Sequence, residues 1–154
     1  VFNNLIRQHA KILTEGFNII NLTGDARLNQ LDKHIYRVDY ITELYQPLMA
    51  FADVVVTRGG SNTLFELIAM KKLHLIVPLG RQASRGDQIE NALYAEKKGY
   101  SRQISEEQFT VDTLLSEVEA LLENKDFYIQ NMEQSTEIQS VDSFYRLLME
   151  DLGR

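Results

Sequence analysis

The sequence predicts an α/β fold, a Rossmann-like open parallel sheet with helices on both faces. Short apolar runs alternate with longer segments whose apolar residues recur at helical spacing. The run Val54-Val55-Val56 has the β-branched character of a strand buried on both faces of a parallel sheet. Leu64, Leu67 and Ile68 follow it at helical spacing. In such sheets ligands bind at the carboxyl ends of the strands, so the loops there are the candidate site.

The first predicted element is an amphipathic helix with Leu5, Ile6, Ala10 and Leu13 on one face. The sequence opens at Val1, without a methionine, already inside this pattern. Because helices of α/β domains usually follow a strand, we expect a fragment that lacks a preceding strand and loop. Residues 1–154 are then a single domain.

The elements up to the valine run follow from apolar periodicity and turn residues. They are a buried strand over 17–22, a short polar helix around 27–33, a strand over 35–41 and a helix over 44–51.

The elements after the glycine turn are predicted in the same way. They are a helix that includes 64–71, a strand over 73–77, a helix that Ser84 can cap and that Gly99 ends, a strand over 100–104, and helices over 111–122, 125–132 and 138–148.

The composition restricts the functions available to the chain. Its formal net charge is -6, and binding nucleic acid requires clustered basic residues that the chain does not have. It contains no cysteine, which excludes disulfides and thiolate chemistry and fits a reducing cytoplasm. No apolar run approaches the roughly 20 residues of a membrane span. We therefore expect a globular domain that binds no nucleic acid.

A glycine turn joins the valine strand to the next helix. It contains Arg58, Gly59 and Gly60, and Ser61, Asn62 and Thr63 follow at the helix start. Unpaired N–H groups and the positive end of the helix dipole favour phosphate at such a place. A tight turn needed only for close packing is an equally good interpretation.

Glu66 lies in the same helix and has two interpretations. Thr63 and Glu66 have the spacing of a capping box, in which the carboxylate bonds the start of the helix. Alternatively, this carboxylate accepts the hydroxyls of a ribose while neighbouring N–H groups hold its phosphates.

A second polar loop follows the strand over 73–77. It contains Arg81, Ser84 and Arg85, and Asp87, Gln88 and Asn91 lie at the start of the next helix. Side chains of these three kinds offer donors and acceptors to sugar hydroxyls. A capped, solvated helix end explains the same residues.

The sequence gives no candidate for a catalytic base or a metal site. His9, His34 and His74 are far apart and form no ligand spacing. His74, inside a predicted strand, is interpreted as structural or at the sheet surface.

Two runs resemble the MurG family of GT-B glycosyltransferases. They are ADVVVTRGGSNTLFELIAMKK and VPLGRQASRGDQIENALYAEKKGY. The resemblance extends over essentially the whole chain and is strongest over 52–100. Members of this family add N-acetylglucosamine from UDP-GlcNAc to an undecaprenyl-pyrophosphoryl-muramoyl-pentapeptide. The resemblance implies the donor-binding, C-terminal half of such an enzyme.

The resemblance also implies roles for the residues of both loops. Ser61, Asn62 and Thr63 would bind the donor diphosphate through backbone N–H groups, beside Arg58, Gly59 and Gly60. Glu66 would hold the ribose, Asp87, Gln88 and Asn91 the GlcNAc hydroxyls, and Ile41 and Thr42 the uracil. Many relatives have paired glutamines where this chain has Asp87-Gln88.

For the intact protein, the resemblance implies an inverting transferase that needs no cofactor and no metal. The absent N-terminal domain would supply the lipid-linked acceptor site, the candidate base and peripheral attachment to the cytoplasmic face of the bacterial membrane. This chain alone would bind donor without turnover. The alternatives are another GT-B enzyme that uses a UDP-sugar, such as a glycolipid glucosyltransferase or a UDP-GlcNAc epimerase, and a non-catalytic nucleotide-sugar-binding subunit.

Overall fold

A computed structural model of the chain describes residues 1–80 and 86–136. The helix predicted over 138–148, and Arg81, Ser84 and Arg85 of the second loop, lie outside the described residues.

The helices and strands alternate through most of the described chain. The helices are α1 (Phe2–Gln8), α2 (Ala10–Gly16), α3 (Tyr45–Phe51), α4 (Ser61–Ala69), α5 (Asp87–Lys97), α6 (Val111–Glu123) and α7 (Lys125–Glu133), with short 3-10 helices at Ala26–Leu28 and Glu106–Gln108. The strands are β1 (Ile19–Leu22), β2 (Gln30–Leu31), β3 (Ile35–Val38), β4 (Val54–Thr57), β5 (Leu73–Ile76) and β6 (Arg102–Gln103).

The strands form two three-stranded sheets. Strands β4, β5 and β6 make an all-parallel sheet in that order, here called the C sheet. Strands β1, β3 and β2 make the other, called the N sheet, in which β1 and β3 are parallel and β2 is antiparallel. The predicted α/β class with a parallel sheet is therefore confirmed. The strands form two separate hydrogen-bonded sheets, however, and not one continuous sheet.

Strand β5 lies at the centre of the C sheet and of the core. All four of its residues are buried. Since successive side chains of a strand point to opposite faces, both faces of β5 are covered. Helix α6 packs on all three strands of this sheet. Leu114, Val118 and Leu121 form its buried stripe, and Thr110 caps its N-terminus through the N–H of Thr113.

Two strands are less buried than the sequence predicts. Val56 of β4 is 37% exposed, and Ile20 and Leu22 of β1 are 40% and 42% exposed. The expectation of burial on both faces is wrong for β4, and the expectation of a buried strand is wrong for most of β1. Each pairs on one side only among the described residues, so the β-branched run identifies a strand without determining how fully it is covered.

Several predicted boundaries also change. The opening helix is divided at His9. The predicted polar helix around 27–33 is a 3-10 helix followed by β2, because that segment turns to pair with β3. Strand β3 ends at Val38.

Candidate functional site

The glycine turn lies at the carboxyl end of β4, beside the end of β5. Gly59 is buried, with φ of +81°, which L side chains rarely adopt. A Cβ at this position would lie 2.6 Å from Cγ2 of Ile76 in β5. Glycine is therefore required here both by conformation and by close packing against β5.

Helix α4 begins directly after this turn with unpaired amides. Gly60 precedes the first helical residue and has no side chain that could cap it. Within the described part of the chain, no hydrogen bond reaches the N–H groups of Ser61, Asn62 or Thr63. Ser61 and Asn62 are exposed. Free amides and the positive end of the dipole make this helix start suited to an anion.

The capping-box interpretation of Glu66 is wrong. Helix α4 begins at Ser61, and no side-chain hydrogen bond caps its start. Thr63 is consequently the third helical residue, and Glu66 lies one turn further along. The carboxylate is exposed. It lies one turn beyond the free amides, on the helix face that Thr63 shares.

The start of α5 is held against the glycine turn by two side-chain amides. Nδ2 of Asn91 donates to the carbonyl oxygen of Gly59 at 3.0 Å. Oε1 of Gln88 accepts from the backbone N–H of Leu79 at 3.0 Å. Asp87, the first residue of α5, is exposed. The structure thus brings together the two loops that the sequence identified separately.

Arg58 makes protein contacts on three sides. Its Nη1 donates to the carbonyl oxygen of Val77 at 3.2 Å and lies 3.0 Å from Oε1 of Glu106. Its guanidinium also lies 4.5 Å from the ring centroid of Phe2. Sequence reasoning missed these partners, although Glu106 follows β6 and therefore lies at the same sheet edge. Arg58 connects α1 and the loop after β6 to the glycine turn.

Ile41 and Thr42 follow β3, at the end of the N sheet. Ile41 is half-buried and Thr42 is exposed. The carbonyl oxygen of Thr42 accepts from the N–H of Tyr45 at 3.2 Å, which starts the turn into α3. Nearby, a hydrogen bond from Asn29 lowers the pKa of the Asp39 carboxyl. These residues belong to a different sheet from the two joined loops.

His74 is a buried structural residue of β5. It is 0% exposed, so the surface alternative is wrong, and its Nδ1 lies 2.7 Å from the carbonyl oxygen of Lys72. Burial lowers the pKa of His74 to about 4. Among the described residues, no three acidic or histidine side chains are grouped so that they could hold a metal ion. None of the described helices is long and apolar enough to cross a membrane.

A cavity of about 460 Å³ lies elsewhere, between the C-terminal end of α5 and helix α7. Gly99, Arg102, Phe127 and Tyr128 are among the residues that line it. The side chain of Arg102 is paired with Glu117, which raises the pKa of the guanidinium. Helix α5 runs away from the joined loops, so this cavity is at its far end and is separate from the candidate site.

The fold is the α/β fold of GT-B type glycosyltransferases. A solved structure described as "Crystal Structure Analysis of the Glycotransferase of kitacinnamycin" has this fold, with a TM-score of 0.51 and 22% identity over 67% of this chain and 26% of that one. The chain belongs to the family described as glycosyltransferase family 28 C-terminal domain, whose sequence model matches residues 1–147.

Several similar curated proteins from streptococci carry one name: UDP-N-acetylglucosamine--N-acetylmuramyl-(pentapeptide) pyrophosphoryl-undecaprenol N-acetylglucosamine transferase. The protein from Streptococcus suis strain 05ZYH33 is 75% identical over 154 residues, which are 100% of this chain and 44% of that protein. The Streptococcus uberis protein is 62% identical, over 99% of this chain and 42% of its own length. The chain therefore spans less than half the length of these relatives.

Proposed function

We propose that this chain is the UDP-GlcNAc-binding domain of a transferase of the kind its relatives' name describes. One observation carries this proposal. The glycine turn and the start of α5 are hydrogen-bonded to each other at the carboxyl edge of the C sheet, beside the free amides of α4. This arrangement supports the proposal, because a nucleotide diphosphate joined to a sugar requires an anion-binding helix start next to polar side chains.

In the proposed complex the backbone supplies the diphosphate site. The N–H groups of Ser61, Asn62 and Thr63 donate to phosphate oxygens, and the dipole of α4 stabilises their negative charge. Gly59 and Gly60 have no side chains, which allows the diphosphate to approach the turn. Arg58 is assigned a structural role, because its guanidinium already contacts Glu106 and the carbonyl oxygen of Val77. These contacts stabilise the position of the glycine turn.

The remaining donor contacts are assigned to side chains. Glu66 accepts from the ribose hydroxyls, and Asp87 accepts from a GlcNAc hydroxyl. Oε1 of Gln88 is occupied by the N–H of Leu79, so its Nε2 is the group assigned to the sugar. By the same argument Asn91 presents Oδ1, because Nδ2 bonds Gly59. Ile41 and Thr42 are assigned to the uracil.

For the longer polypeptide we propose the reaction that the relatives' name describes. An acceptor hydroxyl of the lipid-linked N-acetylmuramyl-pentapeptide forms a bond to the anomeric carbon of GlcNAc. The bond from that carbon to the phosphate oxygen breaks, UDP leaves with the electron pair, and configuration inverts. The free amides of α4 stabilise the leaving phosphate. The acceptor site, the base that takes the hydroxyl proton and peripheral attachment to the cytoplasmic face of the membrane belong to polypeptide outside this chain.

Calorimetric titration of UDP, UDP-GlcNAc and UDP-glucose into the chain tests the proposal. We expect UDP to bind, UDP-GlcNAc to be preferred over UDP-glucose, and Glu66→Ala to weaken UDP binding at least tenfold. Glu119→Ala, which removes an exposed carboxylate from α6, should leave binding unchanged. Equal binding of the two sugars would favour another UDP-sugar enzyme. A folded chain that bound none of the three would refute the donor site.

A further inference from the structure

The turn after β6 lies at the same sheet edge as the two joined loops. Strand β6 is parallel to β5, and the N–H of Ile104, just beyond β6, donates to the carbonyl oxygen of Ile76 at 2.9 Å. A 3-10 helix then begins at Glu106. Because the carboxyl ends of parallel strands meet at one edge of a sheet, residues 105–109, here called the third loop, lie at that edge.

The third loop is fixed by hydrogen bonds to α6 and within itself. Oγ1 of Thr113, in the first turn of α6, donates to the carbonyl oxygen of Gln108 at 2.7 Å. Within the loop, Oγ of Ser105 donates to Oε1 of Gln108 at 3.1 Å, and the N–H of Gln108 donates to the carbonyl oxygen of Ser105 at 3.0 Å. Since α6 packs on all three strands of the C sheet, these contacts connect the loop to the core.

Glu106 and Arg58 form an ion pair that is partly withdrawn from solvent. Nη1 of Arg58 lies 3.0 Å from Oε1 of Glu106, and the two side chains are 26% and 29% exposed. The same Nη1 donates to the carbonyl oxygen of Val77 at 3.2 Å. The ring of Phe2, 4.5 Å from the guanidinium, also packs edge-to-face on Phe109, with ring centroids 5.3 Å apart. The guanidinium is therefore held by a carboxylate, a carbonyl and an aromatic ring, of which only the carboxylate carries a charge.

The glycine turn has few hydrogen bonds of its own to fix its amides. Among the described residues, the N–H of Gly59 reaches only Oγ1 of Thr57, at 3.4 Å, and the N–H of Gly60 has no partner. Glycine backbones adopt many conformations at little cost. The directions of the amides in this turn therefore depend on the side chains that flank it, which are Arg58 and Asn91.

We propose that Glu106 is a positioning residue for the donor diphosphate and acts through Arg58. This inference rests on the function proposed above, because it concerns the same anion site. Glu106 itself contacts no donor atom. Its carboxylate, fixed by the third loop, holds the guanidinium of Arg58, and this contact keeps the amides of the glycine turn and of the start of α4 directed at phosphate.

Removal of the Glu106 carboxylate has two effects of opposite sign on UDP affinity. Loss of the contact to Arg58 lets the turn move and weakens binding, whereas loss of a negative charge near the diphosphate strengthens binding. We expect the first effect to dominate, because charges at a solvent-exposed edge are screened over roughly 8 Å at physiological salt. Glu107 provides a matched control. It is exposed, carries the same charge and makes no hydrogen bond or ion pair among the described residues.

Calorimetric titration of UDP and of uridine into the chain and its variants tests the proposal. We expect Glu106→Ala to weaken UDP binding about tenfold and to change uridine binding less than about twofold, since uridine has no diphosphate. Glu106→Gln, which keeps an oxygen that accepts from Arg58, should recover most of the lost UDP affinity. Glu107→Ala should leave the affinity for both ligands unchanged. An unchanged or raised UDP affinity in Glu106→Ala, or equal losses for UDP and uridine, would overturn the proposal.

A double variant tests the route through Arg58. In an Arg58→Ala background, Glu106→Ala should not weaken UDP binding further, because the partner of the carboxylate is already absent. A further loss as large as that in the unmodified background would contradict this route.

Nuclear magnetic resonance of the chain without UDP separates this proposal from the proposed function. Glu106→Ala should shift the amide resonances of Gly59 and Gly60, whereas Glu107→Ala should not. Failure of the unmodified chain to bind UDP would refute the donor site. Unchanged glycine resonances in Glu106→Ala would refute positioning by Glu106, whether or not the chain binds UDP.

Discussion

The C sheet and the N sheet are built from similar apolar strands but are covered very differently. Every residue of β5 is buried, whereas in β1 only Asn21 is. Strand β5 has a parallel neighbour on each side, and the burial of all four of its residues shows that both of its faces are covered. The apolar character of a segment therefore predicts a strand, whereas the elements that pack around the strand determine how far it is buried.

The two sheets also differ in the loops at their carboxyl ends. In the C sheet, Arg58, Gln88 and Asn91 fasten the loops after β4 and β5 by hydrogen bonds to backbone groups. In the N sheet, the loop after β1 is joined to the end of β3 by backbone amides, since Thr23 and Gly24 donate to the carbonyl oxygens of Val38 and Asp39, and Asn3 joins it to α1. The loops of the C sheet are therefore connected chiefly by side chains, and those of the N sheet chiefly by the backbone.

The largest expected effect compares one leucine from each sheet. Leu75→Ala removes a side chain that is 0% exposed in β5, and Leu22→Ala removes one that is 42% exposed in β1. We expect Leu75→Ala to lower the free energy of unfolding by about 2 to 5 kcal/mol, through lost burial and the cavity left behind. Leu22→Ala should cost less than about 1 kcal/mol in this chain. Urea denaturation of both variants measures the difference, and equal losses would contradict the contrast between the sheets.

A second test uses the pH dependence that His74 confers on the C sheet. Burial lowers the pKa of His74 from 6.5 to about 4, so the unfolded chain binds more protons than the folded one between these values. Stability contributed by the neutral imidazole is fully present above about pH 6.5 and is lost as pH falls toward 4. The shift corresponds to roughly 3 kcal/mol.

This pH dependence is measured by urea denaturation between pH 4 and 8. The decrease in stability over this range should be smaller in His74→Gln than in the original chain, because glutamine does not titrate. A variant that kept the full pH dependence would show that other groups cause it.

The third test separates the two glycines of the turn. Gly59→Ala places a Cβ 2.6 Å from Ile76 at a positive φ, whereas Gly60 has φ of -59° and nothing within 4 Å of a built Cβ. We expect Gly59→Ala to cost about 1 to 3 kcal/mol in unfolding free energy and to weaken UDP binding. Gly60→Ala should be nearly neutral in thermal melting. Similar melting temperatures for both variants would mean that the turn relaxes without cost.

The sequence predicted the C sheet and its loops well because their signals are local. The run at 54–56, the two glycines and the polar start of α5 each identify a structure within a few residues. The partners of Arg58 were not predictable in this way, because Phe2 and Glu106 approach it only through the tertiary fold. The division into two sheets was also missed, since strand periodicity carries no information about which edges are paired. The roles assigned to the donor-binding side chains remain predictions.

The smallest expected effects on stability come from substitutions of the two side-chain amides, Asn91 and Gln88, that join the loops of the C sheet. Asn91→Asp replaces the donor to the carbonyl oxygen of Gly59 with a carboxylate facing that oxygen, which should cost about 1 to 2 kcal/mol. Gln88→Glu keeps an oxygen that can accept from the N–H of Leu79, so its cost should be below about 0.5 kcal/mol.

Although Gln88→Glu should have the smaller effect on stability, it should have a clear effect on donor affinity. Gln88→Glu removes both side-chain N–H donors while leaving the loops joined, so its loss of affinity should be greater for UDP-GlcNAc than for UDP, which has no sugar to contact. Calorimetry with both ligands, paired with urea denaturation, measures the two effects separately. If Gln88→Glu weakened both ligands equally, the side chain would act on the loop and not on the sugar. If it changed neither, the start of α5 would contribute only to the joint between the two loops.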